Sequence, residues 1–119
     1  MRHRVKNTFK FNHKDWDHRS AVLRNLLTSF FMHKSLVTTP KRAKALSIMV
    51  DKLVNVVNSK DEMNAIREVW KYVFTKESSL ELFKNIAPKY KEKKFWMTSM
   101  VPVKYRAWDN AKLVKIQLV

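Results

Sequence analysis

The 119-residue chain contains no glycine. This absence constrains the fold more than any other feature of the sequence, because it limits how the turns can be built. Average proteins contain about 7% glycine, because glycine reaches at no steric cost the positive φ angles that tight turns and helix ends need. Such turns must be built here from residues with side chains. A glycine-rich loop that cradles phosphate groups is excluded.

The charge is strongly positive. Twenty-five Lys and Arg residues face ten Asp and Glu, which gives a net charge of +15 and an isoelectric point near 10.3. At 45% hydrophobic residues, a chain of this length can bury one modest core. So large an excess on a small body favours a polyanionic partner, nucleic acid first and an anionic membrane surface second.

Cysteine is absent, which excludes disulfides, a thiolate zinc site and a cysteine nucleophile. No apolar run approaches the roughly 20 residues of a membrane-spanning helix. The basic start "MRHRVKNTFKFNHK" lacks the apolar segment of a secretory signal. A mitochondrial presequence is harder to exclude, but the stretch shows no helical period, so we expect an arm that stays on the mature protein.

Apolar spacings predict the first half of the fold. A helix opening at Asp17, its expected N-cap, carries an apolar face that includes Leu23, Leu27 and Phe30. The segment "KSLVTT" predicts a short strand at 35–38. Thr39 and Pro40 then form the N-cap and first residue of a second helix, which is predicted to run to about Val57.

The second half contains two more helices and two strands. The third helix, in "SKDEMNAIREVWKYVF", is expected to bury one stripe: Met63, Ile66, Val69, Trp70, Val73 and Phe74. A fourth is predicted from a capping box of Ser78 and Glu81, with Pro88 as its end. The segments "FWMTSMVPV" and "KLVKIQLV" predict strands around a "KYRAWDN" hairpin loop.

These elements predict an α+β fold of about four helices and a small mixed sheet of about three strands. Residues 1–15 are expected to form an extended basic arm. Residues 16–119 are expected to form a single globular domain.

The pattern of residues does not support a catalytic function. The four histidines are not spaced as zinc ligands with a nearby carboxylate: His3, His13, His18 and His33. Asp15, Asp17 and His18 could resemble an acid–base cluster, but helix capping explains them better. We predict no enzyme, no catalytic residue, no metal and no cofactor.

Basic side chains cluster at four places, and aromatic rings accompany them at two of these. The arm interleaves five cations with Phe9 and Phe11, rings that could stack on bases or dock on their own domain. Arg19 and Arg24 lie on the first helix, and the second helix begins with a basic turn beside amides that attract phosphate. "KYRAW" is the fourth cluster. Any one of them could be a solvated surface, but together they favour RNA or DNA.

The order and spacing of several motifs resemble one family. "MRHR", "HRSAVLRNLLTSFFMHKSLVTT", "PKRAKAL" and the ending "YRAWDNAKLVKIQLV" are similar to the bacterial-type ribosomal large-subunit protein seventeen family. The resemblance implies a structural protein with an α/β body and an arm reaching into rRNA near the nascent-chain exit tunnel. With the basic clusters, it gives these RNA-binding candidates: Arg2, His3, Arg4, Lys6, Lys10, His13, Lys14, His18, Arg19, Arg24, Asn25, Lys41, Arg42, Lys44, Tyr105 and Arg106.

Four positions depart from the family pattern. Pro40 lies one place earlier than the family's proline, and Ser99 stands where the family usually has arginine. Trp108 replaces the glycine of R-x-G-D, and Trp96 replaces another glycine. A bulky residue resists the positive φ expected there. Either the loops have rearranged and the indoles contact RNA, or glycine codons have been read as tryptophan.

The resulting prediction is a structural constituent of the large ribosomal subunit, with rRNA and neighbouring large-subunit proteins as partners and no membrane or small-molecule substrate. The ribosome is expected to be cytoplasmic and of bacterial type, with an organellar one as the alternative. The competing function is a free-standing DNA- or RNA-binding regulator.

Overall fold

The computed structural model describes residues 16–119, and the expected arm, residues 1–15, lies outside them. Four α-helices and three strands make up the described part. In chain order they are α1 Trp16–His33, β1 Ser35–Thr38, α2 Pro40–Ser59, α3 Glu62–Trp70, α4 Lys76–Glu81, β2 Thr98–Tyr105 and β3 Lys112–Leu118. The predicted α+β class is confirmed.

The helices α1 and α2 supply much of the core. Leu27, Phe30 and Phe31 of α1 are fully buried, and the two rings meet edge to face with centroids 6.1 Å apart. On α2, the leucines and valines between Leu46 and Val54 are also buried. Burying a whole Leu or Phe side chain stabilises a fold by about 1.5–3 kcal/mol. The buried side chains of α1 and α2 therefore contribute much of the stability of the domain.

The sheet has the order β1–β3–β2 and is antiparallel in both pairings, so the expectation of a mixed sheet was wrong. A short hairpin loop can only return β3 antiparallel to β2. Val114 and Ile116 of β3 are buried, and this strand packs against α2. Along the outer half of β2, residues 100–105 are exposed on both faces, so the hairpin extends beyond the body.

Helix α1 begins at Trp16, which places Asp17 inside the first turn and contradicts its assignment as N-cap. An acidic residue there still favours the positive end of the helix dipole. Thr39 and Pro40 begin α2 as expected, although the Thr39 side chain makes no capping hydrogen bond.

The start of α4 also differs from the prediction. Thr75, rather than Ser78, is the N-cap: its hydroxyl accepts a hydrogen bond from the N–H of Ser78 at 3.3 Å. Pro88 does not end the helical segment. A π-helical turn, Leu82–Ile86, and a 3-10 turn, Ala87–Tyr90, follow α4 directly, and proline fits the first turn of a new helical type because its missing N–H is not needed there.

Within residues 16–119, three residues with side chains adopt the left-handed conformation that glycine usually supplies: Lys34 (φ 64°), Trp96 (φ 59°) and Asn110 (φ 56°). Lys34 ends α1, and its N–H donates to Phe30 O at 2.6 Å, a common helix-terminating arrangement. The expectation of positive φ is met at Trp96. At Trp108 it was wrong, because the hairpin takes its left-handed residue at Asn110, a type that tolerates this region.

Candidate nucleic-acid interface

The arginines Arg19 and Arg24, one and a half turns apart on α1, form the most organised basic feature of the described residues. Both side chains are half-buried, and the Nε atom of each is buried with no hydrogen-bond partner within residues 16–119. A buried guanidinium donor without an acceptor costs about 1–3 kcal/mol or more. An anion such as phosphate would remove that cost, so this α1 arginine pair is suited to an external acceptor.

Contacts from other elements hold Arg24 in place. Its guanidinium carbon lies 4.0 Å from the centre of the Phe74 ring, a cation–π contact. The N–H of Phe74 in turn donates to the hydroxyl of Thr28 at 3.0 Å. The planar guanidinium is therefore oriented before any ligand arrives, which favours bidentate recognition of phosphate.

A cavity of about 580 Å³ opens beside Arg24, between the start of α1 and the segment after α3. Trp16, Lys71 and Tyr72 line it with Arg24, so it combines cations with aromatic rings. Lys52 adds to this edge, since its Nζ lies 3.2 Å from the Tyr72 hydroxyl and 5.1 Å from the ring centre. Sequence reasoning missed Lys52, Lys71 and Tyr72, because no local pattern signals a contact between residues 20 positions apart.

The remaining α1 candidates, His18 and Asn25, are exposed. At the other predicted helix start, Lys41, Arg42 and Lys44 are also exposed within the first turns of α2. Helix N-termini carry a partial positive charge and unsatisfied N–H groups, so this basic turn adds to a potential that attracts phosphate. The remaining candidates lie outside the described residues: Arg2, His3, Arg4, Lys6, Lys10, His13 and Lys14.

At the hairpin tip, Tyr105 is exposed while Arg106 is engaged within the loop. Arg106 donates from Nε and Nη2 to the two carboxylate oxygens of Asp109, at 2.9 and 2.7 Å. These hydrogen bonds raise the pKa of Arg106 and lower the pKa of Asp109. The guanidinium carbon of Arg106 also lies 4.8 Å from the centre of the Trp108 ring. Arg106 thus organises the tip, and its remaining donors are those available to a ligand.

Residues 91–97 form a fifth basic surface, besides the four clusters predicted from the sequence, and we call it the basic loop. It presents Lys91, Lys93 and Lys94 beside Phe95 and Trp96, and the Trp96 side chain is 82% exposed. Side chains of α2 fix the loop: Asp51 accepts from the N–H of Trp96 at 3.1 Å, and Asn55 donates to Lys94 O at 2.8 Å. None of the clusters predicted from the sequence includes this ordered surface.

Within residues 16–119 no group of three His, Cys, Asp or Glu side chains could hold a metal ion. Over the same residues, no helix combines the length and apolar character needed to cross a membrane. The described surface offers cations and rings at several places around one core.

The fold and this surface define a small, strongly basic α+β protein. The family described as Ribosomal protein L17 matches residues 22–119, and the chain belongs to this family. The predicted resemblance is therefore confirmed, and with it the prediction that the chain is not an enzyme, because L17 proteins are structural components of ribosomes.

Relatives extend the match over most of the chain. A protein of Clostridium kluyveri named "Large ribosomal subunit protein bL17" is 41% identical over 103 residues, which cover 87% of this chain and 90% of the relative. A protein of the same name from Desulforamulus reducens is 38% identical over 102 residues, 86% of this chain and 90% of the relative. One from Geotalea daltonii is 34% identical over 119 residues, 100% of this chain and 64% of the relative.

Proposed function

We propose that the chain is a structural constituent of the large ribosomal subunit, where it binds and stabilises rRNA near the nascent-chain exit tunnel. Membership of the L17 family is the observation that carries this proposal, since the relatives are named as large-subunit proteins over lengths that cover nearly all of this chain. The location near the tunnel follows from the resemblance noted in the sequence.

The α1 arginine pair supports contact with RNA phosphate. Arg19 and Arg24 keep buried Nε donors for which residues 16–119 provide no acceptor, and Phe74 holds one of the two guanidinium groups in position. An RNA phosphate would accept from these donors and neutralise the charge. The same α1 carries His18 and Asn25, which we place at the edge of this contact.

The other basic surfaces would act by bringing RNA segments together. Each cation that neutralises a phosphate releases a condensed counterion, and a net charge of +15 allows several RNA segments to approach one small body. Lys41, Arg42 and Lys44 serve one contact, and the hairpin tip with Tyr105 and Arg106 serves another. The arm, residues 1–15, is the remaining contact, and we infer that it binds rRNA in an extended form.

Exposed indoles suit bases that are unpaired. Trp96 and Trp108 are 82% and 79% exposed, and each lies beside cations on the basic loop or the hairpin tip. Stacking of a base on an aromatic ring contributes about 1–3 kcal/mol. The proposed partners are therefore rRNA, at helices and at unpaired nucleotides, and neighbouring proteins of a bacterial-type large subunit.

Co-sedimentation tests the assignment. The tagged full-length chain, expressed in a bacterium that lacks its own copy of this protein, should sediment with large subunits in a sucrose gradient at moderate salt. A control that carries the tag alone should stay at the top. A chain that leaves the subunits at moderate salt but binds a duplex with sequence specificity would instead be a free-standing regulator.

Proximity to the tunnel needs its own experiment. A stalled nascent chain that carries a photo-cross-linker on residues just outside the tunnel should react with this protein. A cross-linker placed deep within the tunnel provides the control and should give no adduct. Equal absence of adducts at every nascent-chain position would contradict the proposed location while leaving membership of the subunit intact.

A further inference from the structure

Helix α3 carries two apolar stripes, and only one of them is buried. Ala65 and Val69 are buried and face α2 with Val73, whereas Met63, Ile66 and Trp70 remain 63%, 37% and 44% exposed. The sequence analysis assigned all the large apolar residues of this helix to the core, which was wrong for the second stripe. Three apolar side chains at positions i, i+3 and i+7 are typical of a helix face that contacts another element.

Ile66 and Trp70 of the exposed stripe line one wall of a groove. The groove has a volume of about 590 Å³, and its other wall comes from α4 and the two helical turns after it. That wall presents Leu80, Phe83, Ala87 and Pro88 to the same space. Apolar side chains gathered in a groove and rimmed by polar residues are the composition expected of an interaction site.

Two local features indicate that the groove is a built site. Phe83 and Lys84 lie on the π-helical turn Leu82–Ile86, a geometry that costs helix regularity and is found frequently at functional sites. Asn58 lines the floor, and its buried Nδ2 finds no hydrogen-bond acceptor within the described part of the chain. A main-chain carbonyl of a docked segment would supply that acceptor.

The charge of the rim selects the occupant. Four lysines line the groove, Lys60, Lys76, Lys84 and Lys91, against one acid, Glu62. None of these lysines forms an ion pair with another residue of 16–119. A second copy of this chain is disfavoured, because its net charge is also +15. The occupant must combine apolar anchors with negative charge.

A protein segment meets these requirements better than RNA. The walls are largely aliphatic, and nucleotide bases pressed against them would leave polar edges without partners. No arginine of the described residues lines the groove, although arginine is the preferred residue for bidentate contact with phosphate. Apolar side chains at helical spacing, flanked by Asp or Glu, would fill the groove and pair with its rim.

We propose that the groove between α3 and the α4 segment binds an acidic, amphipathic segment of a neighbouring large-subunit protein. This inference rests on the proposed function, because it places the partner in the same subunit. Among residues 16–119, none of the rRNA candidates predicted from the sequence lines the groove, and Lys91 is the one residue that it shares with the basic loop.

Site-specific photo-cross-linking in assembled large subunits tests the proposal. The cross-linker benzoylphenylalanine replaces Trp70 in the full chain, and replaces Val101 of the projecting hairpin in the control. From position 70 we expect a nuclease-resistant, protease-sensitive adduct with one other protein, joined at a peptide that contains apolar residues and Asp or Glu. Ile66→Gln and Leu80→Gln, which change no charge, should each reduce its yield by about tenfold, as loss of a central apolar contact does. Val101→Gln should leave the yield unchanged.

The outcomes separate the two proposals. Subunits that contain the protein but yield only an RNA adduct, an adduct with a second copy, or none from position 70 overturn the groove proposal alone. An adduct that survives both glutamine substitutions also overturns it. Failure of the protein to sediment with large subunits would overturn the proposed function and this inference together.

Discussion

Asp51, in the middle of α2, holds the backbone of Trp96 in a left-handed conformation. Its two carboxylate oxygens accept hydrogen bonds from the N–H groups of Trp96 and Met97 at 3.1 and 3.2 Å. Trp96 adopts a φ of 59°, and Met97 is fully buried. A helix side chain thus fixes both the turn that a glycine would usually make and the point at which the basic loop enters the core.

Replacement of this carboxylate should release the loop. Asp51→Ala removes the acceptor for two N–H groups, and hydrogen bonds to charged groups contribute about 1.5–3 kcal/mol each. We expect the free energy of unfolding to fall by about 2 kcal/mol, measured by urea denaturation. Glu92→Ala removes the same charge from the basic loop, but within residues 16–119 this carboxylate makes no hydrogen bond with α2. The substitution should change stability by less than about 0.5 kcal/mol. Equal losses in both variants would contradict the role of Asp51.

The tryptophan itself opposes this conformation. A residue with a Cβ atom pays about 1–2 kcal/mol in the left-handed region, and the exposed indole of Trp96 has little burial to lose. Trp96→Gly should therefore raise the free energy of unfolding by about 1 kcal/mol. Trp108→Gly is the matched control: φ is not positive there, so the substitution should give no gain and should weaken the contact with Arg106.

A stability loss for Trp96→Gly similar to that for Trp108→Gly would show that the left-handed strain at Trp96 is small.

The alternative origin of these residues, glycine codons read as tryptophan, is checked by the intact mass of the protein purified from its own organism. A mass that matches glycine at both positions would remove the indoles from the proposed RNA contacts.

Tyr90 provides a pH-dependent contact. Its hydroxyl donates to Val119 O at 2.6 Å, and burial raises the pKa of Tyr90 above its ordinary value of 10.0. The folded state thus favours the protonated phenol, so this contribution is complete below pH 10 and is lost as the pH rises through the folded-state pKa.

Tyr90→Phe should lower the free energy of unfolding by about 1 kcal/mol at neutral pH, the usual net value of one hydrogen bond. Above pH 10 the difference from the unsubstituted protein should shrink, as followed by urea denaturation at a series of pH values. Tyr105→Phe alters an exposed tyrosine and should leave both stability and its pH dependence unchanged. A difference for Tyr90→Phe that stays constant to high pH would contradict the burial of the ionising group.

The geometry of the α1 arginine pair predicts that charge alone is insufficient. Arg24→Lys retains the cation but loses the planar group that stacks on Phe74 and its bidentate geometry. We expect affinity for large-subunit rRNA to fall by about tenfold, equivalent to about 1.4 kcal/mol. Arg67→Lys, on the exposed face of α3, is the control and should bind as before. Unchanged binding by Arg24→Lys would reduce the site to a nonspecific positive surface.

Local patterns predicted the helices and strands well, because apolar spacing and turn residues act over a few positions. The predictions of β1 at 35–38, of the start of α2 at Pro40 and of a strand in "KLVKIQLV" all agree with the structure. The α3 stripe was misassigned because periodicity identifies apolar faces but does not show which of two faces finds a partner. The N-cap of α4 was misassigned because a capping-box motif fits Ser78, whereas in the structure the hydroxyl of Thr75 accepts the hydrogen bond from the N–H of Ser78.

Site prediction followed charge, so it located runs of cations but not the contacts that orient them. The basic turn of α2 is visible in the sequence, whereas the fixed orientation of Arg24 depends on Phe74, 50 positions away. The basic loop was missed because its order comes from Asp51 and Asn55, residues that a sequence shows only as polar positions on a helix. Tertiary contacts thus fix the positions of cations that the sequence shows only as separate residues.

Deletion of residues 2–14 tests the proposed arm. Those residues include five Lys and Arg and no acid, and each cation that neutralises a phosphate adds about 0.7–0.9 to the slope of log affinity against log salt. We expect weaker rRNA binding and a slope reduced by up to about 4. The control keeps the arm and replaces five cations around α3 and the α4 segment by glutamine: Lys60, Arg67, Lys76, Lys84 and Lys89. If those cations lie away from the RNA, the control should retain most of the slope, whereas an equal reduction in both variants would show that total charge, and not the arm, determines rRNA binding.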